Sequence, residues 1–153
     1  AGHSEQTGVS DMSMEKVAPI PQGKYVPATR FGGLIFTAGM TSRKNGILIL
    51  SGKVRAEEPL EHYRDAVEQA ASNALIAAQG RLQPGESIRQ ILQLMVYVNA
   101  EQGFQLHSKL ADFATEYLCG ELGEAGVAAR AALGVSSLPG EAPVEIQIIC
   151  AVG

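Results

Sequence analysis

Gly126-Val127-Ala128-Ala129-Arg130-Ala131-Ala132-Leu133-Gly134-Val135 sets one guanidinium in a run of small and apolar residues. Arginine stays protonated inside proteins, so Arg130 needs a carboxylate, several carbonyls or an anionic ligand. Fifteen residues further on, Pro143-Val144-Glu145-Ile146-Gln147-Ile148-Ile149-Cys150-Ala151-Val152 reads as a strand whose single charge is Glu145. Two readings follow. Arg130 and Glu145 pair with each other in a buried bridge of little net worth, or Arg130 offers its planar fork to a ligand carboxylate while Glu145 handles a proton or a water.

Working back towards the N-terminus, Phe104 to about Leu118 carries Phe104, Leu110, Phe113, Ala114 and Tyr117 at helical spacing, with Gly120 near its end. Before it, Ile88 to Asn99 alternates as a strand, with Leu92, Leu94, Val96 and Val98 on one side and Gln93, Met95, Tyr97 and Asn99 on the other. From Pro59 to Gly80 the apolar residues Leu60, Tyr63, Ala66, Val67, Ala70, Ala71, Ala74, Leu75 and Ala78 mark a first long helix, with Glu57, Glu58 and Glu61 at the positive end of its dipole. The opening third contains Tyr25 to Arg30 as an edge strand bent by Pro27, Leu34 to Met40 as a second, and Ile47 to Leu50 as a third introduced by the hairpin signal Asn45-Gly46. Residues 1–14 have no period and read as a flexible arm outside a single domain spanning 15–153.

The order is β-β-β-α-β-α-β-β, an α+β class with a single mixed β-sheet and two helices packed on one face. Val144, Ile146, Ile148 and Cys150 suit the covered face. Glu145, Gln147 and Ile149 then fall on the open face, where this reading also places Arg130, Ala132 and Gly134 and, by parity, Gln93, Met95 and Tyr97. Apolar and isolated polar groups mixed in this way suit a subunit interface with polar pockets, which predicts an oligomer.

Composition narrows the function. The chain has 153 residues, 46% of them hydrophobic, enough for one core. Twelve basic against sixteen acidic residues give a net charge of -4, which argues against nucleic-acid binding driven by phosphate neutralisation. Cys119 and Cys150 have no CxxC spacing and are expected to be free, largely buried thiols of a cytoplasmic protein. No apolar run approaches the roughly 20 residues of a membrane span. His3, His62 and His107 stand apart without a metal motif, so neither metal nor cofactor is expected. Gly46 to Lys53 departs from a phosphate loop in its spacing, and Val54 stands where that motif has its hydroxyl.

In order, Gly23-Lys24-Tyr25-Val26, Leu34-Ile35-Phe36-Thr37-Ala38-Gly39, Gly52-Lys53-Val54, Val96-Tyr97-Val98-Asn99, Ala129-Arg130-Ala131-Ala132, Leu138-Pro139 and Val144-Glu145-Ile146 resemble the RidA family of reactive-intermediate imine deaminases, also labelled the endoribonuclease L-PSP family. The resemblance runs from about residue 17 to the end. It implies a chorismate-mutase-like fold, a homotrimer with clefts between subunits, and hydrolysis of small 2-imino or 2-enamino acids to a 2-oxo acid and ammonia. It assigns Arg130 to the substrate carboxylate, Tyr25 to the cleft wall and Glu145 to the attacking water, with Ala38, Gly39 and Ser108 as further cleft positions. Ala38 stands where archetypal members have serine, Ser108 where they have asparagine, and Ala132 where many have cysteine. Two alternatives accompany the deaminase reading: a trimer that binds small carboxylates without turnover, and an endoribonuclease.

Overall fold

The computed structural model describes residues 17–153; the expected arm at 1–14 lies outside the described residues. Five strands form a sheet in the order β1-β2-β8-β6-β7, namely β1 (Ala28–Phe31), β2 (Leu34–Thr37), β6 (Ile88–Asn99), β7 (Ala129–Val135) and β8 (Val144–Val152), and the short β3 (Met40–Thr41) pairs with β8 beyond the end of β2. The β6–β7 pair is parallel and the other pairings are antiparallel, so the sheet is mixed. The helices α1 (Arg64–Gln79) and α2 (His107–Leu122) provide the layer beside it. The α+β class read from the sequence is the fold observed.

The third expected strand is the exception. Asn45 and Gly46 both take positive φ, 54° and 82°, as a tight primed turn requires. The hairpin they close joins β4 (Arg43–Lys44) to β5 (Ile47–Leu48) as a separate two-stranded ribbon outside the main sheet. It is tied to α1 by Asn73, whose amide donates to the carbonyls of Thr41 at 3.0 Å and Arg43 at 2.8 Å and accepts from Gln69 at 3.0 Å. Asn73 and Gln69 are both buried, so the ladder satisfies polar groups withdrawn from bulk water.

The core lies between the helices and one sheet face. Alanine is frequent on the inner side of α1, where Ala66, Ala70, Ala71, Ala74 and Ala78 are all buried, so the helix approaches the sheet closely. Leu94, Val96 and Val98 of β6 and Val144, Ile146, Ile148 and Cys150 of β8 meet it. The alternation expected of β6 holds from Leu94 onward and fails before it. Register shifts between Ile88 and Gln90 and between Ile91 and Gln93 change the parity, so Ile91 is buried and Leu92 is exposed.

Arg64 joins the two helices on their outer side. Its guanidinium pairs with Glu61, Glu68 and Glu116 and lies 4.1 Å from the centre of the Phe113 ring. Lys53 draws three further segments together, donating to Asn99 Oδ1 at 2.9 Å and to the Ser136 carbonyl at 2.6 Å, while the buried Asn99 amide donates to the Ala142 carbonyl. Cys150 is buried, and burial pushes its thiol up to about 12; Cys119 is partly exposed, and both are free. Among the described residues no helix is long and apolar enough to cross a membrane.

Candidate functional site

Arg130 lies on β7, directly opposite Leu94 in the parallel β6–β7 register. Directly opposed residues share a face, and Leu94 is buried in the core, so Arg130 extends along the helix-covered side and not onto the open face. There it meets the face of α2 formed by Ser108, Asp112 and Thr115. One terminal nitrogen donates to Asp112 Oδ1 at 2.9 Å and Thr115 Oγ1 at 3.0 Å, and the other donates to the Ser108 carbonyl at 3.1 Å and hydroxyl at 2.9 Å. The Arg130 side chain is 19% exposed and that of Asp112 55%.

Glu145 faces the other way. It opposes Tyr97 in the β6–β8 register, while the neighbouring residue Ile146 opposes the buried Val96. Gln147 shares its face and accepts a hydrogen bond from the Tyr97 hydroxyl at 2.7 Å. β6 lies between β7 and β8. Arg130 and Glu145 thus stand two strands apart on opposite faces, and the direct bridge between them does not form. The placement of Arg130, Ala132 and Gly134 on the open face is likewise overturned. Along Ala129-Arg130-Ala131-Ala132-Leu133-Gly134 small residues fall on both faces, so the pattern does not reveal parity, and the polar face of α2 lets a charged residue turn inward. A Cβ at Gly134 would lie 2.7 Å from His107 Nε2, so a larger residue there would have to move that ring.

Around Glu145 the local chain is shaped by a bulge. β2 and β3 both pair with β8, but four residues pass from Phe36 to Met40 against three from Ile149 to Ile146. The extra residue breaks the ladder at Ala38 and Gly39. Thr37 Oγ1 repairs part of it by accepting from the Ile148 amide at 3.0 Å, and the Ala38 amide donates to the Pro27 carbonyl. Gly39 then lies so close beneath the Glu145 side chain that a Cβ would fall 2.1 Å from its carboxylate oxygen. Burial raises the Glu145 carboxyl above its ordinary value.

Gly39 also lines a cavity of about 80 Å³ with Tyr25, Met40, Thr41, Gln69 and Asn73. Tyr25 lies outside any strand, 47% exposed, and its hydroxyl accepts from the Gln22 amide. Two polar groupings result. In one, Gly39 shares a cavity with Tyr25 and lies against Glu145, with Ala38 next to it in the chain, and the other contains Arg130 and Ser108. Asp112 and Thr115 are additions that sequence reasoning missed. Their spacing from Ser108, four and seven residues along one helix, was the available signal.

One main mixed sheet with two helices on one face defines a YjgF-like α+β protein. The family model described as endoribonuclease L-PSP matches residues 15–152, and the chain belongs to that family, which is also the YjgF/RidA family. The chain is similar to the crystal structure of protein Atu1372 from Agrobacterium tumefaciens, which has no assigned function, with TM-score 0.81 and 27% identity over 95% of this chain and 90% of that one. It is also similar to a candidate endoribonuclease of Shewanella oneidensis, with TM-score 0.82 and 23% identity over 96% and 97% of the two chains. Protein TCP17 of Trypanosoma cruzi is 25% identical over 133 residues, which is 86% of this chain and 83% of that protein.

Proposed function

We propose that this protein is a homotrimeric hydrolytic deaminase of small 2-imino and 2-enamino acids, yielding a 2-oxo acid and ammonia. The observation that carries the reading is the separation of the two groupings within one chain. A site that uses Arg130 together with Glu145 has to draw them from two chains, and the partly apolar open sheet face supplies a surface on which chains can join. Arg130 of one subunit then holds the substrate carboxylate, while Glu145 of the partner subunit, with Gly39 and Tyr25 beside it, faces the imine carbon.

The reaction asks for orientation and one proton-transfer group. An enamine first shifts an N–H proton to its terminal carbon to give the imine. Water then adds its oxygen to the C=N carbon as Glu145 accepts one water proton and passes it to nitrogen. The carbinolamine hydroxyl gives up the second proton to that nitrogen as C=O forms, and ammonia leaves with the C–N pair. Burial raises the affinity of Glu145 for a proton, which makes it a better proton acceptor in such a relay. Net charge -4 counts against the endoribonuclease alternative.

The test is pyruvate release from freshly generated 2-aminoacrylate, measured above the spontaneous rate. Arg130→Lys keeps the charge but loses the fork, and should cost about 1.5–3 kcal/mol of 2-oxo acid binding. Glu145→Gln should slow release while sparing that binding. Carboxylate binding with no acceleration of pyruvate release would favour a binding protein without turnover; wild-type binding by Arg130→Lys would overturn the assignment of the anchor.

A further inference from the structure

Arg130 has five N–H donors, and four are already committed inside its own chain: two to Asp112 and Thr115, two to Ser108. Only Nε–H has no partner among the described residues. A carboxylate gripped by two parallel hydrogen bonds needs an edge of the guanidinium, and both edges include a terminal N–H now in use. The binding-competent arginine is therefore preceded by a closed one.

Asp112 has the same chemistry as the incoming group. We infer that Asp112 is an internal competitor for the ligand carboxylate, a specificity-determining residue that keeps Arg130 neutralised until an anion displaces it. This rests on the reading of Arg130 as the carboxylate anchor. A ligand approaching end-on needs a hydrogen of the terminal nitrogen that Asp112 and Thr115 share. A ligand approaching side-on, through Nε–H, meets the Asp112 charge across the width of one guanidinium. In both cases Asp112 opposes binding.

The exchange is feasible because the competitor is held loosely. Asp112 is 55% exposed, and an ion pair at such a surface is worth little, so its carboxylate can return to water at small cost. Thr115 and Ser108 remain to keep the guanidinium aimed while the partner changes. The effect is a threshold. A neutral carbonyl compound offers no charge to replace that of Asp112, whereas a 2-oxo or 2-imino acid does.

The experiment is titration calorimetry of 2-oxobutanoate into wild type, Asp112→Asn, Asp112→Glu and Arg130→Ala. Removing the competing charge in Asp112→Asn should tighten binding by about fivefold, the scale of one exposed ion pair. Asp112→Glu restores a carboxylate and should bring affinity back towards the wild-type value, which a purely structural role for Asp112 would not require. If wild type binds, Arg130→Ala does not, and Asp112→Asn binds equally or more weakly, the competitor assignment is overturned while the anchor stands. Undiminished binding by Arg130→Ala overturns the anchor itself, and the competitor with it, as does absence of binding in both wild type and Asp112→Asn. Binding by Asp112→Asn alone would support both.

Discussion

Gly39 shows how a residue without a side chain can shape a site. Its φ is not positive, so the glycine is not there for backbone freedom; it is there because the Glu145 carboxylate occupies the space of a β-carbon. Gly39→Ala is expected to move that carboxylate, the mobile end of its side chain, and to leave the fold intact. Displacement on the ångström scale lowers turnover by about 100-fold where orientation carries the rate, while the melting free energy should change by less than about 1 kcal/mol. Pyruvate release and a thermal melt on the same variant check both halves, and unchanged turnover would remove Glu145 from the reaction. That Arg130 and Glu145 are the lone charges of two otherwise apolar strands was legible in the sequence. Their relation was not, since it depends on β6 lying between them and on the parity of a strand with small residues on both faces.

At the scale of elements, the β1–β2 edge is clamped to the turn before β6. Arg30 forms a two-point pair with Glu86, at 2.5 and 2.8 Å, and also donates to the Arg81 carbonyl. Arg30 and the Gln83 amide pull the Glu86 carboxyl down to about 2 from an ordinary 4.5. A carboxylate whose folded value is depressed contributes stability that is present above the unfolded value and is lost as pH falls through the folded one. Glu86→Gln should therefore melt below wild type at pH 7, with the gap closing between about pH 4.5 and pH 2; a gap that persists at pH 2 would assign the effect to packing. Helices α1 and α2 were legible because sixteen residues of one period outweigh local noise, and β6 because its alternation holds from Leu94 to Val98. The bulges in β6 and at Gly39 were not, because one inserted residue leaves no compositional mark and is seen only when two strands are counted against each other.

Across the whole molecule, the open sheet face carries the argument for assembly. Leu34 and Phe36 of β2 oppose Ala151 and Ile149 of β8, and Phe31 beside them is 83% exposed, so an apolar stripe crosses from the edge towards Gln147 and Glu145. Such a stripe is costly in water and suits an interface. Static light scattering at micromolar concentration should give three times the 16.1 kDa chain mass; the monomer mass would end the shared-cleft reading. The Lys53 pin gives the molecule a different kind of order. Its partners lie 46 and 83 residues away in the chain, so the entropy of closing those loops must be met before its bonds can form. One ammonium joining Asn99 to Ser136 completes its geometry only when the C-terminal ends of β6 and β7 are already side by side. Lys53→Ala is therefore expected to speed unfolding more than it slows refolding, which stopped-flow rates in denaturant check, and a loss felt mainly in the refolding rate would place the pin early in folding.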